Sequence, residues 1–448
     1  MRSTLLPLAA ALLSTSAFAA PPPPGLGYDI VESLTTEVGQ RLAGTEAEAR
    51  ARDWAVARLK SLGFANVHVE PFDMPVWTRG AETADVVSPF PQKLVLAALG
   101  NSGATPDGGI TAEIVGFPSL DALKAAPDAA VKGKIVFVWH RMMPTQDGSS
   151  YGTYGLIRFA GASIASKKGA AAMLIRSIGT DHHRVPHTGV TNWLDGSKPI
   201  PAAALSVPDA EQLERILARG KPVSLHLTLT PKMVGTRQSG NVIAEVPGTD
   251  PSSGLVLIGG HIDSWDLGTG AIDDGAGVAI TTAAAKSILD GPRAKRTIRL
   301  VWFGAEEPGG FGGLAYAKAH AGEKHALAAE ADFGADKIWA FGASFAQPKS
   351  ALRDELVARL NLIGVEPKEG EAHGGTDVGP MVQKGVPVID LDNDGTRYFE
   401  IHHTADDTLD KIDPAQLAQA IEAWSIMLRT VVDTNDPLAP LPPRKDEE

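Results

Sequence analysis

The sequence predicts an α/β protein: a mixed, mostly parallel central sheet with helices on both faces, plus an inserted α/β domain. Three observations predict it. From Ser239 onward, buried apolar runs of strand length alternate with helix-length segments, the pattern of a sheet whose crossovers are helices. The 448 residues exceed one ordinary domain and suggest two or three. Between about Gly108 and Lys232 the texture changes to a second strand-and-helix series, which lacks the paired carboxylates found later.

The elements follow in chain order. Arg2 supplies a positive start, Leu5 to Leu13 an apolar run interrupted by Pro7, and Ala17-Phe18-Ala19 an A-x-A cleavage site; together these read as a signal peptide over 1–19. The run is far shorter than the ~20 residues that span a bilayer, so the expectation is an exported protein, periplasmic or secreted, without a membrane anchor. Thr45 to Gly63 reads as a helix, capped by Thr45, with Glu46 and Glu48 in its first turn. Val67 to Phe72 alternates like a strand. In the insert, Lys134 to Trp139, Ala170 to Ile175, Ile200 to Leu205 and Val223 to Leu229 read as strands, and Phe159 to Gly169 as a helix. Beyond it, Leu255 to Ile258 is a buried strand running into Gly259-Gly260-His261. Val278 to Leu289 is a small-residue helix, Thr297 to Phe303 a strand ending at Glu306-Glu307, and Val386 to Leu391 a further strand. The expected division is a main unit of 20–107 and 233–435, an insert of 108–232, and a mobile tail over 436–448 rich in proline and charge.

Composition narrows the chemistry. Hydrophobic residues make up 44% and charged residues 21%, ordinary for a globular protein. The absence of cysteine excludes disulfides, a thiolate nucleophile, a zinc finger and an iron–sulfur site. A net charge of −12 argues against nucleic acid or an anionic membrane as partner, since both need clustered Lys and Arg.

Histidine and carboxylate residues gather at five separated places: His261-x-Asp263, Asp273-Asp274, Glu306-Glu307, Asp332, and His402-His403 leading to Asp407. In a parallel sheet, residues just past the C-terminal strand ends meet at one edge, and His261 and Glu306 hold such positions. Imidazole and carboxylate donors without thiolate suit zinc, and less selectively cobalt or manganese. Any one of these acids alone reads equally as a solvated loop residue, a cap or an ion-pair partner. The combination is more telling. Adjacent Glu306 and Glu307 at the end of a buried strand repel each other and lose solvation there, and a nearby dication removes the conflict. Two metals about 3.5–4 Å apart are usually joined by a carboxylate. Asp273, in the glycine-rich run Gly268 to Gly277, is the candidate bridge.

Four ordered motifs carry a resemblance: Gly260-His261-Ile-Asp263-Ser264-Trp265, Gly270-Ala-Ile-Asp273-Asp274-Gly275, Phe303-Gly-Ala-Glu306-Glu307 and His403-Thr-Ala-Asp-Asp407-Thr408. They resemble the M28 family of zinc metallopeptidases, in its plasma glutamate carboxypeptidase branch. Flanking matches at Arg41-Leu-Ala-Gly44-Thr45 and Gly375-Thr-Asp377 extend the resemblance over residues 28 to 435. It implies the zinc-exopeptidase fold and two zinc ions, one held by His261, Asp273 and Asp332 and the other by Asp273, Glu307 and His403. It implies Glu306 as general base toward a metal-bridging water, Asp263 as the residue that orients His261 through its other ring nitrogen, and Asp407 as a support for the His403 loop. Many relatives carry Tyr shortly before the metal-binding His; this chain has His402, which either donates to the oxyanion or packs. The insert resembles the protease-associated domain of the family and would cover one side of the cleft. The substrate implied is a small peptide. A homodimer is expected on resemblance alone. The rivals are an aminopeptidase on longer peptides and a non-catalytic binding protein on the same fold. Within the insert, His183 and His187 have the i,i+4 spacing of a metal pair, but Pro186 favours a loop that lines the surface or cleft.

Overall fold

A computed structural model describes residues 25–194 and 196–444; the expected signal peptide over 1–19 lies outside the described residues. Two eight-stranded sheets organise the chain. In the first, four central strands run parallel in the order Ile298–Phe303, Leu255–His261, His325–Glu330 and Val388–Asn393. Antiparallel strands flank them. A ribbon of Ala65–Thr78 and Lys232–Val246 lies on one side, and Ile338–Ser344, with the short Glu366–Pro367 beyond it, on the other. The sheet is therefore mixed, with the parallel strands at its centre.

Strand alternation sorts the core into two layers. Val256, Ile258, Leu300 and Trp302 face the layer that contains Ala276–Leu289 and Pro414–Asp433. Leu257, Val301 and Phe303 face the layer built on Phe311–Ala319 and Gly379–Gln383. Helices thus cover both faces, as the sequence predicts. The Ala276–Leu289 helix is buried except at Lys286, Ser287 and Leu289. Its small residues allow close approach: a Cβ on Gly277 would lie 1.9 Å from the carbonyl oxygen of Ala331. Thr45 caps Glu46–Ser61, its hydroxyl accepting from the Glu48 N–H, as expected.

Three expectations need correction. The second sheet starts well before Gly108. Glu82–Ser88 and Leu96–Ala98 pair antiparallel with Ser224–Leu229 and Ala202–Leu205, and Ala84, Val86, Leu94, Leu96 and Ala98 bury in its core. Pro89 and Pro91 break these residues into strands too short to stand out in the sequence. Second, the helix expected from Phe159 begins at Ser149, because Gly152 and Gly155 mask helical periodicity without preventing the helix. Third, the tail is docked as far as Arg444. Asp436 Oδ2 accepts from the Leu352 N–H at 2.7 Å, and the N–H groups of Leu441 and Arg444 donate to the carbonyls of Gly385 and Gln383 at 2.7 and 2.9 Å. Prolines remove donors, but the remaining amides still find acceptors on the Gly379–Gln383 helix end.

Candidate active site

The C-terminal edge of the four parallel strands gathers the predicted residues. His261 ends its strand and is buried. Its Nε2 lies 3.1 Å from Asp273 Oδ1 and 3.4 Å from Asp332 Oδ1. The Nε2 of His403 lies 3.1 Å from Asp273 Oδ2 and 3.0 Å from Glu307 Oε2. The two oxygens of Asp273 therefore face two different histidines. A cis peptide bond joins Asp273 to Asp274.

The tautomers follow from the other ring nitrogens. His261 Nδ1 faces the main-chain carbonyl of Asp263 at 3.0 Å, and His403 Nδ1 faces that of Thr188 at 3.3 Å. A carbonyl only accepts, so each Nδ1 donates. Each Nε2 then points toward carboxylate oxygens, an arrangement that needs a positive charge between them, supplied by a proton or a metal ion. The donor set fits a metal. Asp273 Oδ2 and Glu307 Oε1 are buried without a hydrogen-bond partner among the described residues, and His261, Asp273 and Glu307 can bring ligand atoms within 4.8 Å of one another. Without a metal the proton must serve: burial opposes it, but Glu307 and Asp273 hold the His403 imidazolium up to about 9.

A further set of carboxylates clamps main chain. Asp263 accepts the N–H groups of Glu306 and Glu307 at 3.0 and 3.3 Å. Its own carboxylate stands 3.6 Å from His261 Nδ1, so Asp263 touches that ring through its carbonyl and spends its side chain on the Glu306-Glu307 turn. Asp274 accepts from the N–H of His261 and of Gly277, both at 2.9 Å. Asp407 accepts from Ala271 and Ile272 at 2.8 and 2.7 Å, which fixes the backbone just before Asp273. Glu330 accepts from Asp377 and Val378 at 2.9 and 2.7 Å. Burial raises Asp407 to about 7 and Glu330 to about 8. The fully buried guanidinium of Arg41 donates to the carbonyls of Ile262, Thr269 and Gly270, tying together the two loops that carry His261 and Asp273. Sequence reading gave no role to Asp274, Glu330 or Arg41; the signal available was the place of Asp274 and Arg41 inside the quoted motifs and of Glu330 two residues before Asp332.

Ala305 and His403 both adopt positive φ, +58° and +62°, a region costly for residues with a Cβ. The strained turn at Ala305 aims Glu306 into the site. Burial pushes the Glu306 carboxyl well above the usual range, and Asp332 and Glu307 add to the effect. His402 stacks on His403 with ring centroids 3.5 Å apart, and its Nε2 lies 3.7 Å from Asp273 Oδ2. Burial holds His402 well below the usual histidine range, so the ring is neutral.

A cavity of about 430 Å³ opens onto Asp273, Glu306, Glu307, Asp332, His402 and His403, within the range of small-molecule sites. Its far wall comes from the second sheet's unit: Tyr151, Arg158, Phe159, Val190 and Asn192. The loop holding His183 and His187 runs behind it. His187 is buried and is not part of a metal pair with His183. Its Nδ1 meets the His402 carbonyl at 2.8 Å and its Nε2 meets Asp181 at 2.7 Å, while His183 reaches Asp406 at 3.2 Å.

Comparison with known proteins places the chain in a family. Residues 241–427 match the model of peptidase family M28. Carboxypeptidase Q of Bos taurus is 35% identical over 415 residues, covering 92% of this chain and 86% of that protein. The crystal structure of a peptidase M28 precursor from Shewanella amazonensis superposes with a TM-score of 0.90 at 48% identity, covering 94% of this chain and 96% of that one. A zinc aminopeptidase from Bacillus subtilis shares the fold, with a TM-score of 0.65 at 22% identity over 93% of this chain and 97% of that one. With its sheet edge and cavity built as described, the chain belongs to peptidase family M28 and is a hydrolase, a metallo-exopeptidase.

Proposed function

We propose that the protein is an exported two-zinc exopeptidase acting on dipeptides or short peptides, with Glu306 as general base. The observation that carries this reading is the placement of Asp273, whose two oxygens each stand 3.1 Å from the Nε2 of a different histidine. One zinc is assigned to His261, Asp273 and Asp332, the other to Asp273, Glu307 and His403. Three protein ligands per ion leave a position open for water or substrate. When bound, the zinc pair supplies Lewis acidity, which polarises the scissile carbonyl and lowers the pKa of water.

The chain's own groups do the rest. Glu306 takes a proton from the attacking water at its carboxylate and passes it to the leaving amine. Asp263 orients this base by holding the N–H groups of Glu306 and Glu307. The neutral His402 is positioned to line the bound carbonyl beside His403. The Tyr151 and Phe159 wall excludes water from one side. No described helix is long and apolar enough to cross a membrane, and export rests on the sequence of residues 1–19. A homodimer is the expected assembly.

Glu306→Gln tests the reading. We expect turnover to fall by roughly 10² or more, the usual loss on removing a general base, with two zinc ions still bound per chain by elemental analysis. Loss of one zinc in Glu306→Gln but not in Glu307→Gln would exchange the two roles.

A further inference from the structure

The two histidines of the metal site are held by different parts of the molecule. His261 is fixed from within the sheet edge: its Nδ1 donates to the carbonyl of Asp263, and its main-chain N–H to Asp274. His403 is not. Among the described residues its Nδ1 has one acceptor, the carbonyl of Thr188 at 3.3 Å, which belongs to the second sheet's unit. Arg158 lies 3.4 Å from the same nitrogen but offers only donors.

The main chain around His403 is gripped from the same side. The N–H of Thr188 donates to the carbonyl of His403, and that of Thr180 to the carbonyl of Phe399, both at 3.0 Å. His187 Nδ1 donates to the carbonyl of His402 at 2.8 Å. The positive φ of His403, +62°, is a conformation that persists only where the surroundings over-determine it, and residues of the wall supply that grip.

The grip is itself rigid. His187 is 1% exposed. Asp181 Oδ1 stands 2.7 Å from its Nε2, and the Ser177 hydroxyl accepts from its main-chain N–H at 2.9 Å. A Cβ on Gly179 would fall 2.3 Å from the same Nε2, so the ring has one place to lie. The Thr188 hydroxyl donates to the Ala98 carbonyl at 2.8 Å and accepts from Arg79 at 3.1 Å. Arg79 in turn pairs with Asp266 of the edge and Glu82 of the wall. Neither residue can follow His403 if its loop moves, so the loop must come to them.

A ligand whose other ring nitrogen is anchored in a second unit makes metal binding and the docking of the two units one equilibrium. Resting on the two-zinc reading above, we propose that His187 is a positioning residue for the second zinc site. It holds the His402-His403 turn where His403 Nε2 meets Asp273 and Glu307, and occupation of that site in turn fastens the wall unit to the sheet edge. The site at His261 has no such link. Coupling of this kind is reciprocal: whatever the wall adds to zinc affinity, zinc adds to docking.

The test uses the full chain and zinc alone. Competition with a chelator gives the two zinc affinities. Hydrogen exchange over residues 177–190 reports docking, measured against the Glu82–Ser88 and Ser224–Leu229 strands of the same unit. In the unmodified protein we expect zinc to slow exchange at Thr180 and Thr188 by about tenfold or more beyond those strands, the counterpart of a comparable gain in zinc affinity. That protection should be lost in His403→Ala and kept in His261→Ala. His187→Phe, which removes the donor to His402, should weaken one zinc by about 10–100-fold, the usual effect of losing a group that orients a ligand, and leave the other in place. His187→Asn, whose amide can put a donor where Nδ1 stood, should recover part of the loss. Equal relative exchange at Thr180 and Thr188 with and without zinc in the unmodified protein overturns the proposal, and this measurement decides even if the variants do not fold. Two unchanged zinc affinities in His187→Phe, or equal weakening of both, also overturn it and leave His187 as a prop of the wall. Fewer than two zinc ions per unmodified chain would instead sink the two-zinc reading itself.

Discussion

The sheet edge and the wall that faces it hold their functional groups in different ways. At the edge, acids come in two kinds. Asp273, Glu307 and Asp332 turn their oxygens toward histidines, while Asp263, Asp274, Asp407 and Glu330 each accept a pair of main-chain N–H groups. The clamps set the backbone, and the backbone aims the ligands. The wall has no such layer. Arg158, Tyr151 and Phe159 are fixed by stacking and by single side-chain contacts, and the wall meets the edge through the His402-His403 loop. Geometry that must hold to a fraction of an ångström is built on strand ends. The opposite lining of the cavity is left to side chains from a separate unit.

The sharpest break in this contrast is at the shared carboxylate. Asp273→Ala should empty both zinc positions and lower kcat/KM by at least roughly 10³-fold, since metal polarisation contributes several kcal/mol to the transition state. His403→Ala should empty mainly one. Zinc content per chain after dialysis decides. If Asp273→Ala keeps one tightly bound zinc while His403→Ala keeps none, the bridge belongs to another residue.

The clamps come next in size. Asp263 offers two oxygens to two N–H groups, whereas an asparagine offers one oxygen and would turn a donor toward the other. Asp263→Asn should therefore lower activity by about 10–100-fold, the usual range for supporting groups around a metal site. Two zinc ions should stay bound at saturating metal, with weakened affinity. An unchanged kcat/KM would show that the Glu306-Glu307 turn holds without its clamp, and the distinction between ligating and clamping acids would lose its force.

Much of the edge was legible in the sequence because the candidate ligands lie past the ends of buried strands, with His261 and Asp273 sharing one, so a parallel sheet brings them to one edge. His261 and Glu306-Glu307 are the clearest cases. The clamps were harder to read, since Asp274 or Glu330 looks like any acid near a strand end until its N–H partners are known. The resemblance implied that the insert covers one side of the cleft, but the residues of that wall were not legible: Arg158 and His403 are 245 residues apart and meet only by packing between units. A faint local signal existed. Arg158 interrupts a helix face whose neighbours Ile157, Gly161 and Ala162 are buried, and a charge on a buried face asks for an explanation. In the fold, three of the four parallel strands were legible from their continuous apolar runs; His325–Glu330 was missed, because alanine dominates it. The Lys232–Val246 strand was missed because its first half is exposed and polar.

The last effect, on stability and not on turnover, separates the two units by their response to acid. His140 follows the Ile135–Val138 strand of the second sheet, is 4% exposed and stacks on Tyr154 at 4.9 Å. Burial, and then the charge of Arg176, push it from 6.5 down to about 4. The unfolded chain therefore binds a proton more readily than the folded one between those values. Stability from this group is fully present above about 6.5 and is lost as the pH falls toward about 4, by up to 1.36 kcal/mol per pH unit and roughly 3 kcal/mol in total. His140→Gln cannot titrate there. Acid also strips metal from the sheet edge, but it does so in both proteins, so the difference between their denaturation curves isolates His140. We expect the unmodified protein to lose more stability than His140→Gln between pH 6.5 and 4, with hydrogen exchange rising first in the strands around Ala172–Arg176. Identical pH slopes in the two proteins would mean that His140 is protonated in the fold at no cost, and the second unit would then have no acid lability of its own.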